Sequence, residues 1–332
     1  MARATLRTRF SPQLALIVAA MMVVGARAQE KLRWKFNAGD QLTLKVVQEV
    51  GMETTMFNQP IKMNTNMEME LGWTVESVDE QGLANITLSI DRVRISMAAP
   101  GMEKTAYDSG ADAEPAGDAI PLATSIEPIL GVKINQKMNA RGEVIDVSLS
   151  PAAEKAFAKL PGGSQYRQIF SKSGLKQLSG QAGMLLPEEA VSKGDTWTQK
   201  SETALPMGQF NATAQYTYEG QEAVEEKALD KIAVNLTLAF GNDGKISVRT
   251  GAGEVEATVA VKDQNNSGHM LFDREAGRFV KTVMNQKLTL QTTFGETKME
   301  QNVTSTTTVT ITPATEETAV DETPEEDATT DE

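Results

Sequence analysis

The chain has 332 residues, no cysteine, one histidine and a formal net charge of −13. The absence of cysteine excludes disulfides and thiolate metal ligands, and the single histidine excludes a histidine-rich zinc site. The acidic balance argues against sequence-independent nucleic-acid binding, which needs clustered lysine and arginine. We expect neither a cofactor nor a metal ion.

The first 28 residues have the features of a secretory signal peptide. Three arginines form a basic start, an apolar run over 14–24 follows, and Ala26-Arg27-Ala28 is a small-x-small cleavage site. The run is short for a membrane span, so we expect cleavage after Ala28 and a secreted or periplasmic protein without a membrane span. An uncleaved anchor is the alternative.

The first β-rich unit, over residues 29–149, begins with Gly39-Asp40 and reads with a period of two. From 61 to 75, odd positions are mostly apolar and even positions mostly polar, which predicts a long antiparallel strand with one dry face. The alternation continues from Ala84 to Ile90 and changes parity at Val93. A parity change within one run predicts a bulge or bend near Asp91-Arg92, and therefore a curved sheet.

A helical connector, over residues 150–190, interrupts this pattern. Ser150-Pro151 is typical of a helix cap followed by a first-turn proline, and a short helix is predicted from Ala152 to Leu160. Apolar residues recur at helical spacing after Pro161-Gly162-Gly163, which predicts a second helix between 164 and 181.

A second β-rich unit, over residues 191–313, repeats the order of features in the first. Gly194-Asp195 matches Gly39-Asp40, and alternating strands follow each pair. Glycine supplies the positive φ of a turn and aspartate binds backbone amides, so we assign these four residues a structural role. Asn242-Asp243-Gly244 is typical of a hairpin turn.

The last nineteen residues, 314–332, hold nine acids and no base. Such a segment cannot bury enough apolar surface to offset its ordering entropy, so we predict a disordered acidic tail. The fold class predicted for the rest is mainly β (α+β): two related, curved antiparallel β-sheet units joined by a short helical segment, in a half-barrel-like arrangement.

Two short motifs resemble a family of uncharacterised exported bacterial proteins that is frequent in planctomycete-type genomes. One is Gly194-Asp195-x-Trp197, preceded by the run over 186–191, and the other is Tyr107-Asp108-Ser109 followed by Gly142-x-Val144. The resemblance implies no established activity and no catalytic residues. The predicted architecture is also similar to the half-barrel of envelope lipid and lipoprotein carriers, although fold does not imply function.

The residues that could carry catalysis or metal binding form no known motif. His269 lies in a turn-like setting and is interpreted as an exposed loop histidine. The acidic loop 107–120 could converge on calcium, but the spacing fits no twelve-residue calcium loop, and a solvated loop is the simpler interpretation. Its four acids are Asp108, Asp112, Glu114 and Asp118.

Other carboxylates, Asp79, Glu80, Asp243 and Asp273, fall in predicted hairpin turns, where short carboxylates bind backbone amides. Two of them could flank a glycosidic bond as acid and base, which would make the protein a carboxylate-based hydrolase. Nothing in the sequence selects a pair, so we expect a protein that is not an enzyme.

Methionine is frequent in the first unit, and flexible thioethers suit an irregular apolar ligand. A lipid or apolar peptide could bind against a face lined by Met63, Met67, Met69, Trp73 and Met97. An ordinary core with methionine as filler is the alternative.

We therefore predict an exported, non-catalytic binding module of the periplasm or envelope. A structural protein that engages another envelope protein without a small ligand is the first alternative, and the hydrolase is the second.

Overall fold

The computed structural model describes residues 31–56, 59–101, 103–158, 185–205, 208–250 and 253–314. The predicted signal peptide, the second predicted helix and the acidic tail beyond residue 314 lie outside these ranges. Within them, no helix combines the length and the apolar composition needed to cross a membrane.

Strands dominate the described chain, and they are long. They are β1 (Gln41–Met56), β2 (Gln59–Val78), β3 (Ala84–Ala98), β4 (Thr105–Asp108), β5 (Lys133–Met138), β6 (Val144–Leu149), β7 (Thr196–Leu205), β8 (Gly208–Val224), β9 (Lys227–Phe240), β10 (Lys245–Thr250), β11 (Gly253–Asp273), β12 (Arg278–Phe294) and β13 (Thr297–Pro313). The α-helices are α1 (Ala119–Ile126) and α2 (Pro151–Ala158), and short 3-10 turns cover Glu127–Ile129 and Asn242–Gly244.

All these strands belong to one curved antiparallel sheet, so the predicted mainly β fold is confirmed. The order is β6-β5-β3-β2-β1-β13-β12-β11-β9-β8-β7, with β4 added to β3 and β10 added to β11. Strands β1 to β6 form one half and β7 to β13 the other. The two halves meet where the first strand pairs with the last, from Leu42 opposite Pro313 to Thr55 opposite Glu300.

The predicted parity change has the predicted cause. Ile90 and Arg92 of β3 face consecutive residues of β2, so Asp91 is the extra residue of a β-bulge. In a second bulge, Glu76 is the extra residue of β2. In a third bulge, at the matching point of β8, the extra residue is Glu219. Each bulge increases the local twist and bends its strand, which accounts for the curvature of the sheet.

One face of the sheet carries the main core, and we call it the core face. Leu42, Trp73, Ile86, Tyr216 and Ile232 all point to it and belong to a single buried cluster that spans both halves. The opposite face, called the outer face, carries most of the charged side chains. This division follows from alternation along each strand.

The N-terminal segment 32–36 crosses the core face as a strap. The Trp34 amide donates to the Ala140 carbonyl at 2.8 Å, in the turn between β5 and β6. The Lys35 amide donates to the Gly277 carbonyl at 2.9 Å, in the turn between β11 and β12. The strap therefore links one edge of the sheet to the middle of the other half.

A second segment, 185–187, joins the two edges of the sheet. The Leu186 amide donates to the Arg141 carbonyl at 2.9 Å beside edge strand β6. The Trp197 indole Nε1 of edge strand β7 donates to the Leu185 carbonyl at 3.1 Å. Because both edges hold this segment, the sheet is closed over its core at this end of the strands.

The predicted connector helix is confirmed in its described part, since α2 begins at Pro151. The Ser150 hydroxyl accepts from the Ala153 amide at 3.1 Å, as an N-cap does. Helix α1 was not predicted, and it replaces the end of the supposed acidic loop. Asp118 stands at its N-cap, where aspartate favours a helix start, although its side chain makes no capping hydrogen bond.

The predicted hairpin at Asn242-Asp243-Gly244 is wrong, because the strands before and after this turn do not pair with each other. The segment does turn the chain, with positive φ at all three residues. However, β10 pairs with β11 from Lys245 opposite Thr258 to Thr250 opposite Gly253, and not with β9. Strand β10 thereby covers the part of β11 that β9 leaves unpaired.

Candidate functional site

A cavity of about 250 Å³ lies on the core face beneath the N-terminal strap. Its wall combines side chains from both halves of the sheet with Trp34 of the strap. The lining residues are Trp34, Leu44, Trp73, Leu88, Gln136, Met138, Gly142, Val144, Met270, Phe279, Thr282, Val309 and Ile311. The cavity is therefore an apolar space that neither half could form alone.

An aromatic cluster fixes the position of Trp34. Its ring stacks on Trp73, with centroids 5.5 Å apart and an interplanar angle of 23°. Phe36 stacks beside Trp34 at 5.8 Å, and Phe279 meets it edge-on at 5.6 Å. Offset stacks and edge contacts are the preferred geometries of aromatic pairs, so these contacts stabilise this part of the wall.

Strand register explains why the remaining lining residues converge. Leu88 faces Trp73 across the β2–β3 pairing, and Leu44 faces Ile311 across the β1–β13 pairing. Thr282 lies opposite both Val309 and Met270 on the two sides of β12. Directly paired residues share a face, so with Gln136, Met138 and Val144 the wall continues across eight neighbouring strands, from β6 to β11.

The polar groups of the wall are few and uncharged. Gln136 and Thr282 contribute an amide and a hydroxyl, and Trp34 and Trp73 each carry an indole N–H. Trp73 is 7% exposed, and its Nε1 is buried with no hydrogen-bond partner among the residues that the structure describes. No Asp, Glu, Lys, Arg or His lines the cavity.

Of the five predicted lining residues, Trp73 alone borders the cavity. Met63, Met67 and Met69 lie farther along β2 on the same face, and Met97 lies opposite Thr65 in the neighbouring strand. All four methionines are partly exposed. The strap and Met270 were missed, because residues so distant in sequence give no signal that they meet.

The two Gly-Asp pairs lie in turns with the same hydrogen bonds. Gly39 has a φ of 92°, and its amide donates to the Val75 carbonyl at 2.8 Å. Gly194 has a φ of 96°, and its amide donates to the Tyr218 carbonyl at 2.8 Å. Each turn holds the start of its first strand against the bulged strand that follows.

The aspartates complete each turn in the same way. Asp40 Oδ2 accepts from the Asn37 amide at 3.1 Å, and Asp195 Oδ2 accepts from the Ser192 amide at 2.7 Å. Aspartate often closes a turn on its own backbone in this manner. These hydrogen bonds explain why the same residue pair precedes both units.

A groove of about 690 Å³ lies on the outer face, between the sheet and the segment 111–119. A charged network forms part of its floor. Asp108 binds Arg92 through both carboxylate oxygens, at 2.9 and 2.8 Å, and accepts from Arg94 Nε at 3.3 Å. Arg94 also binds Glu68 and Glu70.

The interpretation of Asp108 as part of a solvated acidic loop is therefore wrong. Asp108 ends β4, and the hydrogen bonds from Arg92 hold the pKa of its carboxyl far below its usual range. Asp112, Glu114 and Asp118 are exposed. In the described ranges, no three acidic or histidine side chains converge as a metal site would require.

His269 is also not a loop residue. It lies within β11, opposite Val283 in β12 and Ala233 in β9, and is partly buried. Its neighbours along the chain, Asn266-Ser267-Gly268, resemble a turn in sequence. Tertiary pairing overrides that local preference, as it often does in sheets.

Two carboxylates of the predicted turns, Asp79 and Asp273, accept hydrogen bonds from backbone amides of their own turns. Asp79 Oδ1 accepts from the amides of Gln81 and Leu83, both at 2.9 Å. Burial raises the pKa of Asp273, but hydrogen bonds from the Ala276 amide and Lys227 outweigh it, so the net pKa is lowered. A glycosidase acid needs a raised pKa, whereas the pKa of Asp273 is lowered.

The second half contains a buried cluster of charged side chains that the sequence did not predict. Asp230 is fully buried, and its carboxylate accepts from Arg274 at 2.7 and 2.9 Å and from the Tyr218 hydroxyl at 2.6 Å. Burial and the hydrogen bond to Asp230 raise the pKa of Tyr218 to about 12. The cluster ties β8, β9 and the β11–β12 turn together, away from the cavity.

Comparison with known protein families identifies the family of this chain. The model of a family of unknown function, DUF6263, matches residues 81–277. The chain belongs to this family. The predicted resemblance to an uncharacterised family is therefore confirmed. No curated protein matches the sequence.

Several solved structures match this chain at low similarity. Lipovitellin, in a structure of its lipid–protein interactions, has 12% identity and a TM-score of 0.45 over 85% of this chain. The chain spans 26% of lipovitellin. The β domain of the Bordetella autotransporter BrkA has 8% identity and a TM-score of 0.27, covering 82% of this chain and 99% of that domain. An outer membrane channel from Pseudomonas putida F1 has 8% identity and a TM-score of 0.23, covering 84% and 97%. At these scores the likenesses bear no functional argument.

Proposed function

We propose that this protein is an exported binding module of the bacterial envelope that holds an apolar ligand on the core face of its sheet. The observation that carries the proposal is the apolar cavity beneath Trp34. A concave apolar site with few polar groups is the usual form of a small-molecule pocket. Export is supported by the signal-peptide features of residues 1–28.

The size of the cavity limits what it can hold. An apolar cavity of about 150 Å³ in a protein core binds benzene, so 250 Å³ suits a ring or short chain slightly larger than benzene. A whole membrane lipid is too large to be enclosed. Partly exposed core-face residues such as Val46, Met69 and Met284 lie beside the cavity and could contact the rest of a longer chain.

The experiment measures binding of p-xylene by ligand-observed NMR, together with native mass spectrometry of protein purified from its own envelope. Val309 lines the cavity, whereas Val303 lies on the same face of the same strand outside it. We expect V309F to abolish xylene binding by filling the cavity, and V303F to leave it intact. Equal binding by both variants, or no binding by the natural protein, would contradict the proposal.

The outer groove favours a second candidate function, interaction with another envelope protein. A photo-crosslinking residue at Ala113, in the groove wall, should then give a defined adduct in intact cells, and one at Gln81 in the β2–β3 turn should not. The charged floor of the groove is internally paired, so this candidate ranks below the cavity.

A further inference from the structure

An apolar surface leads out of the cavity along strands β2 and β3. It begins at Trp73 and Leu88, which line the cavity and lie opposite each other. The facing pairs farther along the two strands include Met69–Val93, Met67–Ile95 and Thr65–Met97. Directly paired residues share a face, so all these side chains point to the core face. We call the surface that they form the β2–β3 track.

The β2–β3 track carries no charge. On β2 the residues over 61–75 that share the face of Trp73 are all uncharged, and so are those over 84–97 of β3 that share the face of Leu88. Thr65 is the only polar side chain among them. A buried charge needs a partner, so a surface of this kind favours a hydrocarbon chain.

The track is apolar but incompletely covered. Met63, Met67, Met69 and Met97 are all partly exposed. Exposed apolar surface that is continuous, rather than scattered, marks a ligand groove or an interaction site. Flexible thioethers adapt to a ligand of irregular shape. The cavity and these four methionines are therefore parts of one apolar surface, which joins them to Trp73.

The track has the length of a long acyl chain. Trp73 and Thr65 are eight residues apart along β2, which corresponds to about 26 Å. An extended hydrocarbon chain advances about 1.25 Å per carbon, because its bonds of about 1.5 Å meet at tetrahedral angles. About sixteen carbons therefore reach from Trp73 to Met67, and about twenty reach Thr65 and Met97.

The two ends of the track suit the two ends of a fatty acid. No charged side chain lines the cavity, so a carboxylate there would have no cation to pair with. At the far end, Met97 leads into the β3–β4 turn, where Glu103 and Lys104 are exposed, so a carboxylate there remains in water. The cavity, of about 250 Å³, admits the end of one chain only.

We infer that the ligand is a free long-chain fatty acid of about sixteen to twenty carbons, with its methyl end in the cavity and its chain along the β2–β3 track. This inference rests on the proposed function and names its ligand class. Trp34 and Trp73 contact the methyl end. Met67 and Met97 contact the distal part of the chain and set the preferred length.

The first test measures affinity by isothermal titration calorimetry for octanoate, dodecanoate, palmitate and arachidate, each below its micelle concentration. A fully buried methylene raises affinity about fourfold, and one that stays half in water about twofold. The natural protein should therefore gain about twofold per carbon from octanoate to palmitate and level off by arachidate.

The double variant M67Q/M97Q keeps the side-chain lengths but places amides on the distal track. It should weaken palmitate binding about tenfold and leave octanoate binding unchanged, which also shows that the cavity is intact. The matched control is N66Q/S96Q, because Asn66 and Ser96 are the neighbouring residues of the same strands and pair with each other on the outer face. It should bind palmitate as the natural protein does.

The second test determines the direction of the chain. Bromine quenches indole fluorescence on contact, and the chain has three tryptophans, of which Trp34 and Trp73 line the cavity. In a W197F background, palmitate brominated at its methyl end should quench the remaining fluorescence. Palmitate brominated beside its carboxylate should not.

Three results would overturn the inference while the proposed function stands, provided that p-xylene or octanoate binds. They are palmitate binding no tighter than octanoate, equal losses of palmitate affinity in the two double variants, and stronger quenching by bromine at the carboxylate end. Retention of a diacyl phospholipid from vesicles in preference to palmitate would likewise overturn it. If none of these probes binds the natural protein, the proposed function itself fails.

Discussion

Asp230 has a fully buried carboxylate whose charge is balanced by one guanidinium, that of Arg274. Removing one partner of a buried pair leaves an uncompensated charge, which costs about 3–5 kcal/mol. We expect R274M to lower the free energy of unfolding by about 3 kcal/mol, measured by urea denaturation. Lys231 pairs with Glu222 on the surface, so K231M is the control and should change the unfolding midpoint little. Equal losses in both variants would contradict a special role for the buried pair.

Asp108 should make folding stability depend on pH. Its pKa is lower in the folded protein than in the unfolded chain, chiefly because of the hydrogen bonds from Arg92. A group with a depressed folded pKa contributes its full stability above its unfolded pKa of about 4 and loses it as the pH falls toward the folded value.

The difference in unfolding free energy between the natural protein and D108N should therefore be largest near neutral pH and shrink below about pH 4. Urea denaturation over a series of pH values measures it. Added salt should reduce the difference at neutral pH, since the carboxylate is partly exposed. D112N, an exposed residue of the same segment, is the control. A difference that stays constant with pH would show that Asp108 does not act through its charge.

At the scale of elements, the Gly-Asp turns set where each half begins. Gly39 and Gly194 hold φ values of 92° and 96°, and a Cβ at either position would meet no atom within 4 Å. An alanine there is strained in its backbone alone, so G39A and G194A should each cost about 1–2 kcal/mol and by similar amounts. Thermal unfolding checks this, with Q41A as the control. A large loss in one variant and none in the other would mean that the two turns do not perform equivalent roles.

The sequence predicts elements well where neighbouring residues determine the structure. The parity change between Ile90 and Val93 located the Asp91 bulge, and Ser150-Pro151 located the start of α2. Helix α1 was missed because it has only eight residues and follows a stretch rich in Gly, Ala and Pro, which favours a loop. Strand β10 was assigned the wrong partner, since its pairing depends on where β9 diverges from β11.

Sequence patterns did not predict contacts between residues that are far apart along the chain. Alternation placed Trp73 on an apolar face, but the cavity depends on Trp34 and Met270, which reach it from the strap and the other half. Asp230 follows a leucine and precedes a lysine near the start of β9, so nothing in its local pattern indicates complete burial. Long-range register and the strap, rather than residue type, decide both sites.

The union of the halves through β1 and β13 makes independent folding of either half unfavourable. Residues 31–158 alone would expose the full length of β1 and lose the core partners Tyr216, Ile232 and Phe272. An unpaired long edge strand with a wet apolar face favours aggregation rather than a stable fold. We expect the fragments 31–158 and 185–314, expressed separately, to lack a cooperative thermal transition and near-ultraviolet circular dichroism. Co-expressed, they should associate and recover both signals together with binding of p-xylene, because the cavity needs side chains from each. A fragment that unfolds cooperatively by itself would instead show that its half is an autonomous domain.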